Sequence, residues 1–147
     1  MPVDLTCTME KSNISSAQEK KVELLYAESL NWKSSLYLVT DEVTFIENLL
    51  NSYLFEPNTP NLFERLQKYQ AQIKKNKERK VEVFKVIDKH RKDLGGMLEC
   101  TDYACDLGYY QKHEVIKAEV VSFLENFQLL KSEIFNYAGG ILKKRKP

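Results

Sequence analysis

"SAQEKKVELLYAESLNWKSSLYLVTDEVTFIENLLNSY", residues 16–53, decides the fold. Its apolar residues advance in steps of three and four: Val22, Leu25, Trp32, Leu36, Val39, Val43, Ile46, Leu50 and Tyr53, with Ser29 the one polar member of the series. That stepping puts every member on one stripe of a helix, since three or four residues make about one turn. Ser16-Ala17-Gln18-Glu19 has the form of a capping box, in which the serine accepts from a backbone amide and the glutamate reaches back. The stretch therefore predicts one helix of about 55 Å at 1.5 Å rise per residue.

Working outward, "EPNTPN" (residues 56–61) ends this helix, and Thr59 with Pro60 offers an N-cap and a first-turn proline for the next. A second seam follows through Leu62, Leu66, Tyr69, Ile73, Asn76, Lys80, Val83, Ile87, His90 and Leu94, and Gly95-Gly96 is expected to stop it in a left-handed conformation. Thr101 or Asp102 can cap a third helix, with seam His113, Ile116, Val120, Phe123, Phe127, Leu130, Ile134, Tyr137 and Ile141. Gly139-Gly140 is expected to fray its end. The expectation is an all-α, up-down-up antiparallel three-helix bundle of long helices with coiled-coil-like seams. Residues 1–15 are expected to form a disordered leader, 16–142 the single bundle and 143–147 a basic tail.

Short turns centred near residues 57–58 and 98 would set the register. Leu50, Leu66 and Leu130 then share a layer, followed in order by Ile46 with Tyr69 and Phe127, Val39 with Asn76 and Val120, and Trp32 with Val83 and His113. In this alignment Asn76 and Lys80 are polar residues at seam positions. Such residues fix register at a cost in stability, although a lysine can also lead its head out to water along its alkyl stem.

The 22 basic and 21 acidic side chains nearly cancel, so no global field draws the protein to nucleic acid or an anionic membrane. The run "KKNKERK" (residues 74–80) is the most tempting basic cluster, which the short C-terminal "KKRK" could extend, and the register sets it against Asp41, Glu42 and Glu125 as a balanced, solvated face. Weak anion or nucleic-acid binding through it is the lesser reading, because such sites want an uncompensated stripe with aromatic partners. The first residues lack a basic end followed by an apolar core, and no stretch has the ~20 apolar residues of a membrane span. With three cysteines, an odd and sparse number, reduced thiols and a cytoplasmic setting are expected.

"HRKDLGGMLECTDYACDLGYYQKH" (residues 90–113) holds both histidines and two of the cysteines, the raw material of a zinc site. The expected register argues against four ligands converging, because His113 pairs with Val83 while His90 lies opposite Asp106 and near Cys105. His90, Cys100 and Cys105 remain as candidate metal ligands or, for Cys105, a thiol tuned by a helix N-terminus. Catalytic signatures are missing from the sequence. Neither histidine has Glu three residues before it, as bundle di-iron enzymes require, and there is no phosphate-binding loop, nucleophile elbow or Cys-x-x-Cys motif. No cofactor and no catalytic residue are expected.

Leu38, Phe45, Leu49, Leu124, Phe135 and Leu142 lie off the seams. Exposed apolar patches mark association surfaces. The sequence thus points to a non-enzymatic bundle acting through protein contacts, a homodimer or a docking face for another helical protein. A thiol- or metal-responsive bundle using the second turn is the alternative.

Overall fold

A computed structural model describes residues 2–143 of the chain, with side chains described from Ser16 onward. It is an all-α bundle of three long helices, α1 (Pro2–Leu50), α2 (Leu62–Asp93) and α3 (Tyr103–Ile141), with a short 3-10 helix (Leu94–Glu99) between the last two. Cys7 and the tail "KKRKP" from Lys144 on lie outside the described side chains, as does the leader expected at residues 1–15. The backbone of α1 is helical upstream of Ser16, so the capping box sits within the helix rather than opening it.

Two compact units each draw on all three helices. One takes the chain up to Ser34 together with Phe84–Glu119; the other takes Ser35–Val83 and the chain from Val120 onward. The first is called here the Trp32 unit and the second the Phe127 unit.

In the Phe127 unit α2 runs against α1, with Lys77 paired to Glu47 and the Gln70 amide donating to Asn51. α3 runs with α1, matching Lys131 to Glu42 and Phe135 to Phe45. The core is made by the seams: Leu36, Val39, Val43, Ile46 and Leu50 of α1, Tyr69, Ile73 and Val83 of α2, and Val120, Phe123, Phe127, Leu130 and Ile134 of α3 are all buried. Each such side chain contributes about 1.5–3 kcal/mol through the apolar area it removes from water.

The connection over residues 51–61 is more than the expected short turn. Phe55 is buried and forms an isolated antiparallel bridge with Leu142, with Glu56 N–H donating to Ile141 O and Lys143 N–H to Leu54 O. This pairing consumes chain between the helices. Tyr53, expected on the seam, is accordingly 92% exposed. The Thr59 hydroxyl donates back to Glu56 O instead of capping α2, and Asn61 turns the chain into α2 with φ of 56°. Asparagine is among the few non-glycine residues that adopt such a φ readily. Gly139 and Gly140 stay within α3, which continues to Ile141.

In the Trp32 unit α1 supplies Val22, Leu25, Ser29 and Trp32, α2 supplies Ile87 and His90, and α3 supplies His113 and Ile116. Gly95 and Gly96 do not adopt the expected left-handed conformation. The chain winds on as a 3-10 helix, burying Leu94 and Met97 against Val22 and Leu25. Gly96 allows a close approach: a Cβ there would meet the Tyr109 hydroxyl at 2.5 Å, so that side chain would have to shift. At the entry to α3, the Asp102 carboxylate accepts from the Cys105 N–H at 2.8 Å, the expected cap.

Apart from Tyr53, the first and third seams are buried or half-buried as expected, and the register between the helices is not. Trp32 stacks on His90 and His113, where the layer was expected to hold Val83 and His113. α2 is shifted by one heptad relative to both neighbours. Heptad seams match equally well after such a shift, and the longer connections at 51–61 and 94–102 select it.

Candidate functional site

Both histidines meet in the Trp32 unit. His90 Nε2 lies 2.7 Å from His113 Nδ1, and His113 Nε2 lies 2.8 Å from Glu28 Oε1. His90 is 1% exposed and His113 2%. Trp32 covers the pair, its ring centroid 4.6 Å from that of His113 and 6.4 Å from that of His90. The expected separation of the two histidines is thus wrong, by the same one-heptad shift.

The Glu28 contact fixes one hydrogen-bond direction. A carboxylate only accepts, so His113 Nε2–H donates to Glu28; in the tautomer that carries its single proton there, His113 presents Nδ1 as acceptor to His90 Nε2–H. His90 Nδ1 is left as a buried lone pair with no hydrogen-bond partner among the described residues. Burial, and secondly the His113 ring, push the His90 imidazolium down to about 4. His90 is accordingly neutral near pH 7. Lys112 is drawn to Asp93 at 2.9 Å and Lys117 to Glu28 at 3.6 Å, which keeps cations outside the pair. The two imidazoles form a layer of the core, while the Glu28 side chain beside them is 38% exposed.

The turn into α3 has different chemistry. Cys100 and Cys105 are joined by a disulfide, with Cα atoms 5.5 Å apart. The expectation of reduced thiols is corrected here: five residues apart, on either side of the Asp102 cap, the two cysteines are brought together by the first turn of α3. Cys105 is exposed and Cys100 half-buried.

Beside them Gln18 of α1 donates its amide to Met97 O at 2.7 Å and to Asp106 Oδ1 at 2.6 Å, while Lys21 reaches Asp106 Oδ2 at 2.9 Å. Asp106, expected opposite His90, is thus held by α1. Its hydrogen bond from Lys21, then that from Gln18, keep its carboxyl below the usual range, and the same contact raises the Lys21 ammonium. An open cavity of about 530 Å³ lies here, lined by Gln18, Lys21, Cys100, Thr101, Tyr103 and Asp106 among others.

The candidate ligands His90, Cys100 and Cys105 do not converge: the histidine is bonded to His113 and the cysteines to each other. Among the described residues no group of three or more His, Cys, Asp or Glu is placed to hold a metal ion. Sequence reasoning missed the histidine pair and the anchoring of Asp106 by Gln18 and Lys21. One signal was available: a buried imidazole needs a polar partner, and a register that set His113 beside Val83 left it without one.

In the Phe127 unit the run 74–80 is balanced by other partners than expected. Lys77 pairs with Glu47 at 3.2 Å and Arg79 with Glu82 at 3.4 Å, while Glu42 is taken by Lys131 of α3. The expected partners belonged to the shifted register. Lys80 stays inside, its ammonium donating to the Thr40 hydroxyl at 2.6 Å, and burial followed by repulsion from Lys77 lowers its proton affinity. Asn76, half-buried, donates to Gln72 O of its own helix.

Of the off-seam apolar residues, Leu38 and Phe45 are about 60% exposed, at 59% and 60%, and Phe135 and Leu142 remain 38% and 41% exposed. Leu49 and Leu124 are half-buried. Phe45 and Phe135 pack edge to face with centroids 6.1 Å apart. Among the described residues no helix is long and apolar enough to cross a membrane. No protein-family model, curated protein or solved structure matches the chain.

Proposed function

We propose that this chain is a non-enzymatic helical-bundle protein of the cytoplasm that acts through protein contacts, and that it pairs with a second copy of itself. The observation that carries the reading is the Phe45–Phe135 contact, two aromatic rings from different helices packed on each other with outer surfaces in solvent. Leu38 stands one heptad before Phe45 on α1, and Leu142 follows seven residues after Phe135, just past the end of α3, so a further apolar residue flanks each ring of the pair. Residues at that spacing share a helix face and suit a partner helix that repeats the same period. Tyrosine and phenylalanine surfaces of this kind dominate the energetics of protein contacts.

Light scattering coupled to size-exclusion chromatography tests the proposal. The full chain should elute at twice its formula mass, and Phe45→Glu should elute as a monomer with unchanged helicity. A parent chain that stays strictly monomeric at high concentration overturns it.

A further inference from the structure

The Cys100–Cys105 bridge closes only five residues, and everything it spans is held by other means. Asp102 caps the first turn of α3, Cys100 N–H donates to Met97 O, and Gln18 ties Met97 O to Asp106. A disulfide stabilises a fold more the longer the loop it closes in the unfolded chain, so a bridge this local adds less as a staple than a long-range one would. Its chemistry is better placed than its mechanics. Cys105 stands in the first turn of the 39-residue α3, where the helix dipole favours a thiolate, although the Asp102 carboxylate already accepts from its amide. It is exposed, whereas Cys100 packs against the cluster of Val22, Leu25, Leu94 and Met97.

The Cys100 side of the bridge lines a cavity, together with the Asp102 and Asp106 carboxylates, while Cys105 lies outside its lining. About 530 Å³ is enough for a small peptide-like molecule, and its rim offers Lys21, whose side chain is 41% exposed, and the 74% exposed Tyr103. The Lys21 ammonium has donors to spare after its bond to Asp106.

We propose that Cys100 and Cys105 form a thiol–disulfide exchange site for small carboxylate-bearing thiols of the glutathione class. The thiolate of one such molecule attacks Cys105 Sγ. A new S–S bond forms there, the Cys100–Cys105 bond breaks, and its electron pair leaves on Cys100 Sγ, which takes up a proton. A second thiol attacks the sulfur of the bound molecule, and Cys105 departs as a thiolate held by the α3 N-terminus. Two small thiols become one small disulfide as the protein disulfide becomes a dithiol, so two electrons move and no other oxidant is required. Bridges in reducing compartments are characteristically of this transient kind. The inference does not depend on self-association.

The test uses the full chain carrying Cys7→Ser, so that Cys100 and Cys105 are its only cysteines. It is equilibrated with graded ratios of reduced to oxidised glutathione under native conditions, quenched with acid, alkylated and weighed by mass spectrometry. The disulfide should convert to dithiol as the reduced fraction rises, with the far-ultraviolet spectrum unchanged and the thermal midpoint only modestly lowered. In the same background Cys100→Ser should accumulate mixed disulfide at Cys105 about tenfold faster than Cys105→Ser does at Cys100, the advantage of a more ionised and accessible thiol. Resistance to glutathione until the chain is denatured would overturn the proposal. So would a marked fall in the thermal midpoint on reduction, which would make the bridge a staple. If the serine variants do not fold, the titration of the Cys7→Ser chain alone decides between exchange and staple.

Discussion

Around Trp32 the buried residues include Gln18, Ser29, His90, Asp106 and His113, whereas around Phe127 they are apolar except for Lys80. Both regions use the same three helices and the same seam spacing. The difference lies in what a layer can tolerate. An apolar layer accepts nearly any apolar neighbour of suitable volume, while a layer holding two imidazoles is satisfied only when each finds a partner. The Phe127 unit therefore supplies adhesion and little information, and the Trp32 unit distinguishes one register from the next at some cost in stability. Lys80 qualifies this division, since its bond to Thr40 gives the Phe127 unit one specific cross-helix contact as well.

The largest effect expected from this contrast is in the apolar unit. Phe127→Ala removes a ring that is 2% exposed, and should cost about 3–5 kcal/mol in urea unfolding. A cost below that of a single buried hydrogen bond would break the comparison, because adhesion would then not be concentrated there.

The next effect is a pH dependence on the acid side, centred on His90 in the polar unit. In the folded protein His90 takes up its proton only near pH 4, whereas in the unfolded chain it does so near its ordinary value of 6.5. Between those values the unfolded state binds more protons, so stability is complete above pH 6.5 and falls as the pH drops toward 4. At 1.36 kcal/mol per unit the loss is on the order of 3 kcal/mol. Asp106 and Asp93, held below the usual carboxylate range by Lys21 and Lys112, add their losses only at still lower pH. Urea unfolding at pH 7, 5.5 and 4.5 should show the slope, and His90→Leu should flatten it. An unchanged slope in that variant would assign the titration elsewhere.

A double-mutant cycle on the histidines sharpens the comparison further. His113→Leu leaves His90 Nε2–H buried without an acceptor, and should cost about 1–3 kcal/mol; His90→Leu strands His113 Nδ1 in the same way. The double variant should recover much of either loss, because both unmet groups disappear together. It should also lose specificity, giving broader amide spectra or a second register. Strict additivity of the two losses would mean that the pair is not coupled.

The same reasoning explains what could be read from the sequence. The stepping from Val22 to Leu50 and from Ile116 to Ile134 placed every seam, because periodicity is a property of each helix alone. Register is a property of two helices and their connection, and repeating layers are nearly degenerate under a shift of one heptad. The length of the connection at 51–61 depended on Phe55 pairing with Leu142, a contact between distant parts of the chain that no local pattern signals. With the register misplaced, His90 was separated from His113 and set against Asp106. The Asp102 cap was legible because it is local; the disulfide was not, because an odd number of sparse cysteines argued for free thiols.

The smallest effect tests whether local and long-range restraints on the Trp32 unit act together. Asp102→Ala removes the acceptor for the Cys105 N–H and should cost about 1 kcal/mol, the ordinary value of an N-cap. The cap and the disulfide hold the same turn, so the cost should be smaller with the bridge intact than after reduction. Measured by urea unfolding in both redox states, that difference reports how far Asp102 keeps the turn in place when the cysteines are free. A cost independent of redox state would mean that the two restraints act separately, and that reduction leaves the start of α3 held by Gln18, Lys21 and Asp106.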